Sequence, residues 1–239
     1  MTATILLTRP TAGSARFLKE LEAALGGTVP AVISPLIEIE PIQSKWDGAP
    51  VAGLVLTSEN GAEAAGGIGL PPGLRTYAVG DRTADAARSA GFVPITAGGD
   101  VESLIALILS TGDKGPLLHL RGEHSRGDIA ARLTDAGVIC AQKIVYRQTE
   151  IRLSPAASAL LAGSDPVILP LFSPRTCTIL VNQGVFSAPL HVVALSEAVA
   201  AVSKRLSPKT VVCAERPDSS AMLAATMSCL RALGIGPAA

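Results

Sequence analysis

The chain has 239 residues, 48% hydrophobic but only 3% aromatic, and its 20 basic and 20 acidic residues cancel. That balance argues against a global field drawing it to nucleic acid or an anionic membrane. Cys140, Cys177, Cys213 and Cys229 stand far apart without a C-x-x-C pair, and the apolar runs fall far short of the ~18–20 residues of a spanning helix, which argues against a disulfide frame, a zinc site and a membrane segment. Met-Thr-Ala-Thr leads straight into a strand-like run with no basic leader, so the expectation is a soluble, cytoplasmic protein.

Residues 5–8 form the first predicted strand. The helical face Phe17, Leu18, Leu21 and Leu25 follows and is stopped by Gly26-Gly27, because a left-handed cap costs glycine no steric penalty. Residues 35–42 then alternate apolar and polar. Short apolar runs at 53–57, 76–79 and 93–96 are the next strands, and 116–120 precedes a helical face of Ile129, Leu133 and Ala136 that Gly137 ends. Residues 142–149 alternate again, and strands at 167–172, 191–195 and 211–214 complete the series. Strand, short loop, helix, strand is the grammar of a parallel sheet covered on both faces, here two flavodoxin-like or Rossmann-like lobes.

Two lobes also follow from self-similarity. Leu54-Val55-Leu56-Thr57-Ser58 matches Leu169-Pro170-Leu171-Phe172-Ser173, and Tyr77-Ala78-Val79-Gly80-Asp81 matches Val192-Val193-Ala194-Leu195-Ser196, both at an offset of about 115 positions. Ile5-Leu6-Leu7-Thr8-Arg9 matches Leu117-Leu118-His119-Leu120-Arg121 at a similar shift. The alternating segments admit two readings: edge strands of contiguous lobes, or a pair of extended linkers crossing between lobes.

No metal constellation, dinucleotide fingerprint, phosphate loop or G-x-S-x-G nucleophile motif is present. Small polar and Arg residues recur instead at strand carboxyl ends: Thr8-Arg9, Thr57-Ser58-Glu59-Asn60, Asp81-Arg82-Thr83, Arg121-Gly122-Glu123, Ser173-Pro174-Arg175 and Ser196-Glu197. Open α/β sheets bind ligands at that edge. Free N–H groups and hydroxyls there suit carboxylates or phosphates, although Ser, Thr and Asp are also ordinary helix caps. Tyr146, one of two tyrosines, lies on an alternating segment, where its ring packs against a lobe or its hydroxyl reaches a cleft.

Taken together, Leu7-Thr8-Arg9-Pro10, Leu56-Thr57-Ser58-Glu59-Asn60-Gly61, Ala78-Val79-Gly80-Asp81-Arg82-Thr83-Ala84, Leu120-Arg121-Gly122-Glu123, Val145-Tyr146-Arg147-Gln148-Thr149 and Phe172-Ser173-Pro174-Arg175 resemble the uroporphyrinogen-III synthase family over nearly the whole chain. The resemblance implies two α/β lobes with parallel sheets joined by a two-stranded linker. The first lobe would be discontinuous, residues 1–34 plus 151–239; the linker strands would be 35–42 and 142–150, and the second lobe 43–141. It implies closure of hydroxymethylbilane with inversion of ring D and loss of water, with no cofactor and no metal. Tyr146 matches the family's suspected donor to the departing hydroxyl; a phenol is a weak acid at neutral pH, so hydrogen-bond assistance is the implied role. Ser58, Thr83 and Ser173 match positions near the tetrapyrrole, and Arg9, Thr57, Asn60, Arg121, Pro174 and Ser196 complete the expected substrate-binding set. The implied protein is a monomer, with transient contact with hydroxymethylbilane synthase as its one expected partner.

One departure stands out. Where the family shows Thr-Ala after a Gly, the chain reads Leu195-Ser196-Glu197-Ala198-Val199, and a carboxylate there repels an anionic substrate unless it points away. The alternative reading is a non-catalytic two-lobed binder of a small anionic ligand.

Overall fold

Among the described residues, most strands are short runs that are apolar, β-branched or Leu-rich and bounded by Gly, Pro or a hydroxyl residue, while β3 and the eleven-residue β8 alternate apolar and polar positions. The computed structural model describes residues 3–43, 45–124 and 127–234. The chain divides into two units, Met1–Glu38 with Glu150–Ala239, and Ile39–Thr149. No helix among the described residues is long and apolar enough to cross a membrane.

The first unit contains β1 (Thr4–Leu7), α1 (Thr11–Leu25) and β2 (Ala31–Ile33). Far downstream it resumes with α6 (Pro155–Ala162), β9 (Val167–Leu171), α7 (Pro174–Val181), β10 (Leu190–Ala194), α8 (Glu197–Ser203), β11 (Thr210–Cys213) and α9 (Ser219–Ala232). Its sheet is wholly parallel, in the order β11-β10-β9-β1-β2. Ile5 and Leu7 meet Phe17, Leu21, Ile168, Val193, Met222 and Leu230 in one core. The predicted end of α1 is where it was expected: Gly26 takes the left-handed conformation at φ 72°.

The second unit begins in β3 (Ile37–Pro41) and continues through β4 (Gly53–Leu56), α2 (Glu59–Ala65), β5 (Arg75–Ala78), α3 (Asp81–Ser89), β6 (Val93–Thr96), α4 (Val101–Ser110), β7 (Leu117–Gly122) and α5 (Ile129–Asp135) to β8 (Cys140–Glu150). The sheet order is β3-β8-β7-β4-β5-β6, and all pairings from β8 to β6 are parallel. β3 runs antiparallel to β8, since Ile42 N–H donates to Val145 O while Ile151 N–H donates to Leu36 O. Of the two readings of the alternating segments the crossing one fits: the chain passes between units within β3 and again within β8. The edge reading survives only for β3, since β8 is interior to its sheet and the first unit is not contiguous.

The two sheets share one spatial template. Written as β2-β1-β9-β10-β11 and β8-β7-β4-β5-β6, they align β1 with β7, β9 with β4 and β10 with β5. Those are the same three pairs that share sequence. Yet the repeat is tandem along the chain and crosswise in space. Leaving aside the extra edge strand β3, each lobe takes two strands from one copy and three from the other, so each core mixes copies. Leu54, Leu56, Ala62, Ala65 and Ile68 pack with Leu118, Leu120, Val145 and Tyr146 on one face of the second sheet. Val55, Tyr77, Leu104 and Ile108 pack with Leu117, Ile129 and Leu133 on the other.

Candidate functional site

The predicted site residues fall on two carboxyl edges, one in each unit. In the second unit Ser58 follows β4 and caps α2, its hydroxyl accepting the Gly61 N–H at 3.1 Å. A short polar side chain at that place is what the orphan N–H groups of a first turn require. The same oxygen lies 3.1 Å from the Tyr146 hydroxyl, so Ser58 is already engaged on two sides.

Tyr146 arrives there through an irregularity in β8. The register against β7 pairs Arg121 with Ile144 but Gly122 with Tyr146, skipping Val145. In an even strand consecutive side chains alternate faces; the slip lets Val145 and Tyr146 both join the core beneath α2. Tyr146 is 6% exposed. Its ring lies where a side chain on Gly122 would be: a Cβ there would sit 2.6 Å from ring atoms Cε2 and Cζ. Tyr146 also lines a cavity of about 640 Å³, with Ile39, Ile42, Lys45, Asn60, Glu63 and Ile68 among its other walls.

Thr57 and Ser58 part company. Ser58 turns to Tyr146, whereas Thr57 Oγ1 lies 3.3 Å from Nε2 of His119, which is buried in β7 with its Nδ1 unpartnered. Burial, helped by the Arg121 guanidinium and opposed by Asp128, lowers the His119 pKa to about 4. The folded chain thus keeps this imidazole neutral while the unfolded chain protonates it near 6.5. The contribution is intact above pH ~6.5 and is lost as pH falls toward 4, about 3 kcal/mol in all. Urea unfolding between pH 7.5 and 4 should show the wild type losing that much more stability than His119→Leu. Parallel pH curves for the two proteins would refute the assignment.

Asn60 occupies the first turn of α2, and Thr83 is buried in the first turn of α3. Arg121 donates to Gln142 Oε1 at 2.9 Å and to Gly122 O at 3.0 Å. In the first unit the edge is built differently. The Arg9 guanidinium stacks on Phe172 at 4.2 Å, and Phe172 meets Phe17 edge to face at 5.1 Å. Ser173 caps α7, accepting the Thr176 N–H at 3.1 Å, and its hydroxyl lies 2.8 Å from Thr176 Oγ1. Pro174 is the first residue of α7. Ser196 precedes α8 without a side-chain cap bond, and exposed Glu197 opens that helix. Desolvation raises the Cys213 thiol pKa, and the hydrogen bond the thiol donates to the Glu197 carboxylate adds to it, so this carboxylate is turned to β11. That is the physical account of the departure at 197.

Residue typing missed His119 and Gly122. Both lie in the strand β7, where a histidine with no ligand partners and a glycine give no signal until the facing strand is known.

A family model described as uroporphyrinogen-III synthase HemD matches residues 17–224. Among solved structures the chain is similar to uroporphyrinogen-III synthetase from Helicobacter pylori, with 15% identity over 96% of this chain and 100% of that one and a TM-score of 0.64. It is also similar to a mutant uroporphyrinogen III synthase from Thermus thermophilus, with 16% identity over 98% and 99% and a TM-score of 0.50. At these identities the likeness carries the fold. No curated protein matches the sequence.

Proposed function

We propose, on the premise that this chain belongs to the uroporphyrinogen-III synthase family, that it closes hydroxymethylbilane to uroporphyrinogen III, inverting ring D and releasing water. The observation that carries this reading is the Tyr146 hydroxyl, held 3.1 Å from Ser58 beside a cavity of about 640 Å³.

The chemistry asks little of a conventional catalytic cluster. An electron-rich pyrrole expels its own hydroxyl once a donor engages that oxygen, and water leaves with the bonding pair. The substituted carbon of ring D then attacks, giving a spiro intermediate that reopens and recloses with loss of a ring proton. Unassisted closure gives the symmetric isomer, so the protein's task is chiefly orientation together with fixed dipoles around developing charge. Tyr146 is the donor in this scheme. Arg9, Thr57, Asn60, Thr83, Arg121, Ser173, Pro174 and Ser196 are the candidates for the eight substrate carboxylates. Of these, Thr57 acts through its His119-held position. The substrate is labile, which favours transient contact with the enzyme that makes it.

The test is to supply freshly generated hydroxymethylbilane and resolve the uroporphyrin isomers after oxidation. Isomer III in excess is expected. Isomer I alone, at the rate without protein, would leave only the anion-binding reading.

A further inference from the structure

The geometry points to Gly122 and Ser58 as positioning residues that seat and orient Tyr146, an inference that rests on the reading of Tyr146 as hydrogen-bond donor. Two independent observations converge on one phenol. Gly122 stands where the β7–β8 register slips, and its missing side chain is the space the ring fills: a Cβ would meet Cε2 and Cζ at 2.6 Å and the hydroxyl oxygen at 2.8 Å. Real Cβ atoms do not make such contacts, so a side chain on Gly122 would push the ring off its packed face toward the cavity it lines. Backbone conformation is not the reason for glycine, because Gly122 is absent from the positive-φ set. The requirement is space alone.

Ser58 acts on the other end of the ring. Its oxygen accepts the Gly61 N–H at 3.1 Å and lies 3.1 Å from the phenol oxygen. A serine hydroxyl has one proton and two lone pairs. With the backbone N–H occupying a lone pair, the serine proton is available to the phenol oxygen. That proton is assigned to the phenol oxygen, which leaves the phenol proton free of Ser58 on a ring that lines the cavity. The order Gly61 N–H, Ser58 O–H, Tyr146 O–H is a chain in which each bond polarises the next. The first unit lacks this device. Its counterpart, Ser173, caps α7 in the same manner but directs its hydroxyl to Thr176. Ser58 is therefore a part of the donor, not a carboxylate ligand.

Ser58→Ala, Ser58→Thr, Ser58→Asp and Gly122→Ala, each alone and combined with Tyr146→Phe, separate the roles. Ser58→Ala should lower kcat about tenfold with KM unchanged, and Ser58→Thr should restore it, as expected of an orienting hydroxyl. Ser58→Asp keeps the helix cap but has no proton to give, so it should be as slow as Ser58→Ala while remaining as stable as the wild type. Gly122→Ala should cost about 10²-fold, the usual penalty for displacing a reacting group by ~1 Å. None of these changes should slow a Tyr146→Phe protein further. A rise in KM with kcat retained, or equal losses with and without the phenol, would overturn the inference.

A second measurement does not depend on turnover. Tyrosine labelled with ¹³C at Cζ should give two resonances, from Tyr77 and Tyr146, assigned with Tyr77→Phe. The Tyr146 resonance should move in Ser58→Ala and return in Ser58→Thr; a resonance indifferent to Ser58 would sink the relay even in an active enzyme. If the wild type makes no isomer III while the resonance still follows Ser58, the functional reading falls and the seating of Tyr146 stands.

Discussion

Tyr146→Phe is expected to lower kcat about 10²-fold, within the range a positioned proton donor supplies, with KM little changed and isomer III still the main product. The substitution deletes one oxygen. The ring remains packed with Leu56, Ala62 and Leu120 and its volume is preserved, so the core should hold. The lost bond to Ser58 costs roughly 0.5–1.5 kcal/mol of stability. The kinetic effect is larger, since a hundredfold is about 2.7 kcal/mol of barrier. It should appear in kcat because the donor acts on a hydroxyl that is leaving, an interaction strengthened only in the transition state. Isomer choice should survive because it depends on how the chain is held, which the phenol oxygen does not control. Initial rates together with the isomer ratio after oxidation provide the check. Unchanged turnover would remove Tyr146 from the chemistry.

Fragments of the chain should behave contrary to its tandem repeat. Residues 37–150 hold β3 to β8 and both cores of the second unit, and are expected to unfold cooperatively alone. Residues 1–112, which hold a whole copy of the repeat, are not. That fragment retains Leu54, Leu56 and Val55 but lacks Leu117, Leu118, Leu120, Ile129, Leu133 and Val145, against which they pack. Each such side chain contributes about 1.5–3 kcal/mol when buried. Losing six, about 9–18 kcal/mol, is as large as the whole ~5–15 kcal/mol by which a domain is stable. Urea titration followed by far-ultraviolet circular dichroism decides it. A sharp transition in 1–112 would mean that β1 and β2 can stand in for β7 and β8.

Much of the fold was legible because strand periodicity, glycine stops and hydroxyl caps are local. Gly26 ends α1 by its own backbone freedom, and Ser58, Asp100, Asp128, Ser154, Ser173 and Asp218 each accept the N–H three residues on. Crosswise assembly was not legible from the residues, because a strand carries no mark of which copy it will pair with; only the family resemblance implied a discontinuous lobe. The site divides in the same way. Ser58 and Tyr146 were both named from motifs, but their meeting spans 88 positions. It depends on a register slip that alternation along residues 142–149 gave no reason to expect. Thr57 was grouped with Ser58 as a neighbour in sequence, and period two sends it to the opposite face, toward His119.

Crosswise pairing also sets an order of events on the ribosome. β1 and β2 emerge first but find β9 only after some 130 further residues have been made, about ten seconds at typical elongation rates. In that interval the second lobe completes itself, while the leading βαβ segment waits with an open edge on β1. Such an edge is a template for wrong partners. A nascent-chain binder that shields the first 34 residues until β9 appears would raise the yield of active protein more than one acting on any later segment.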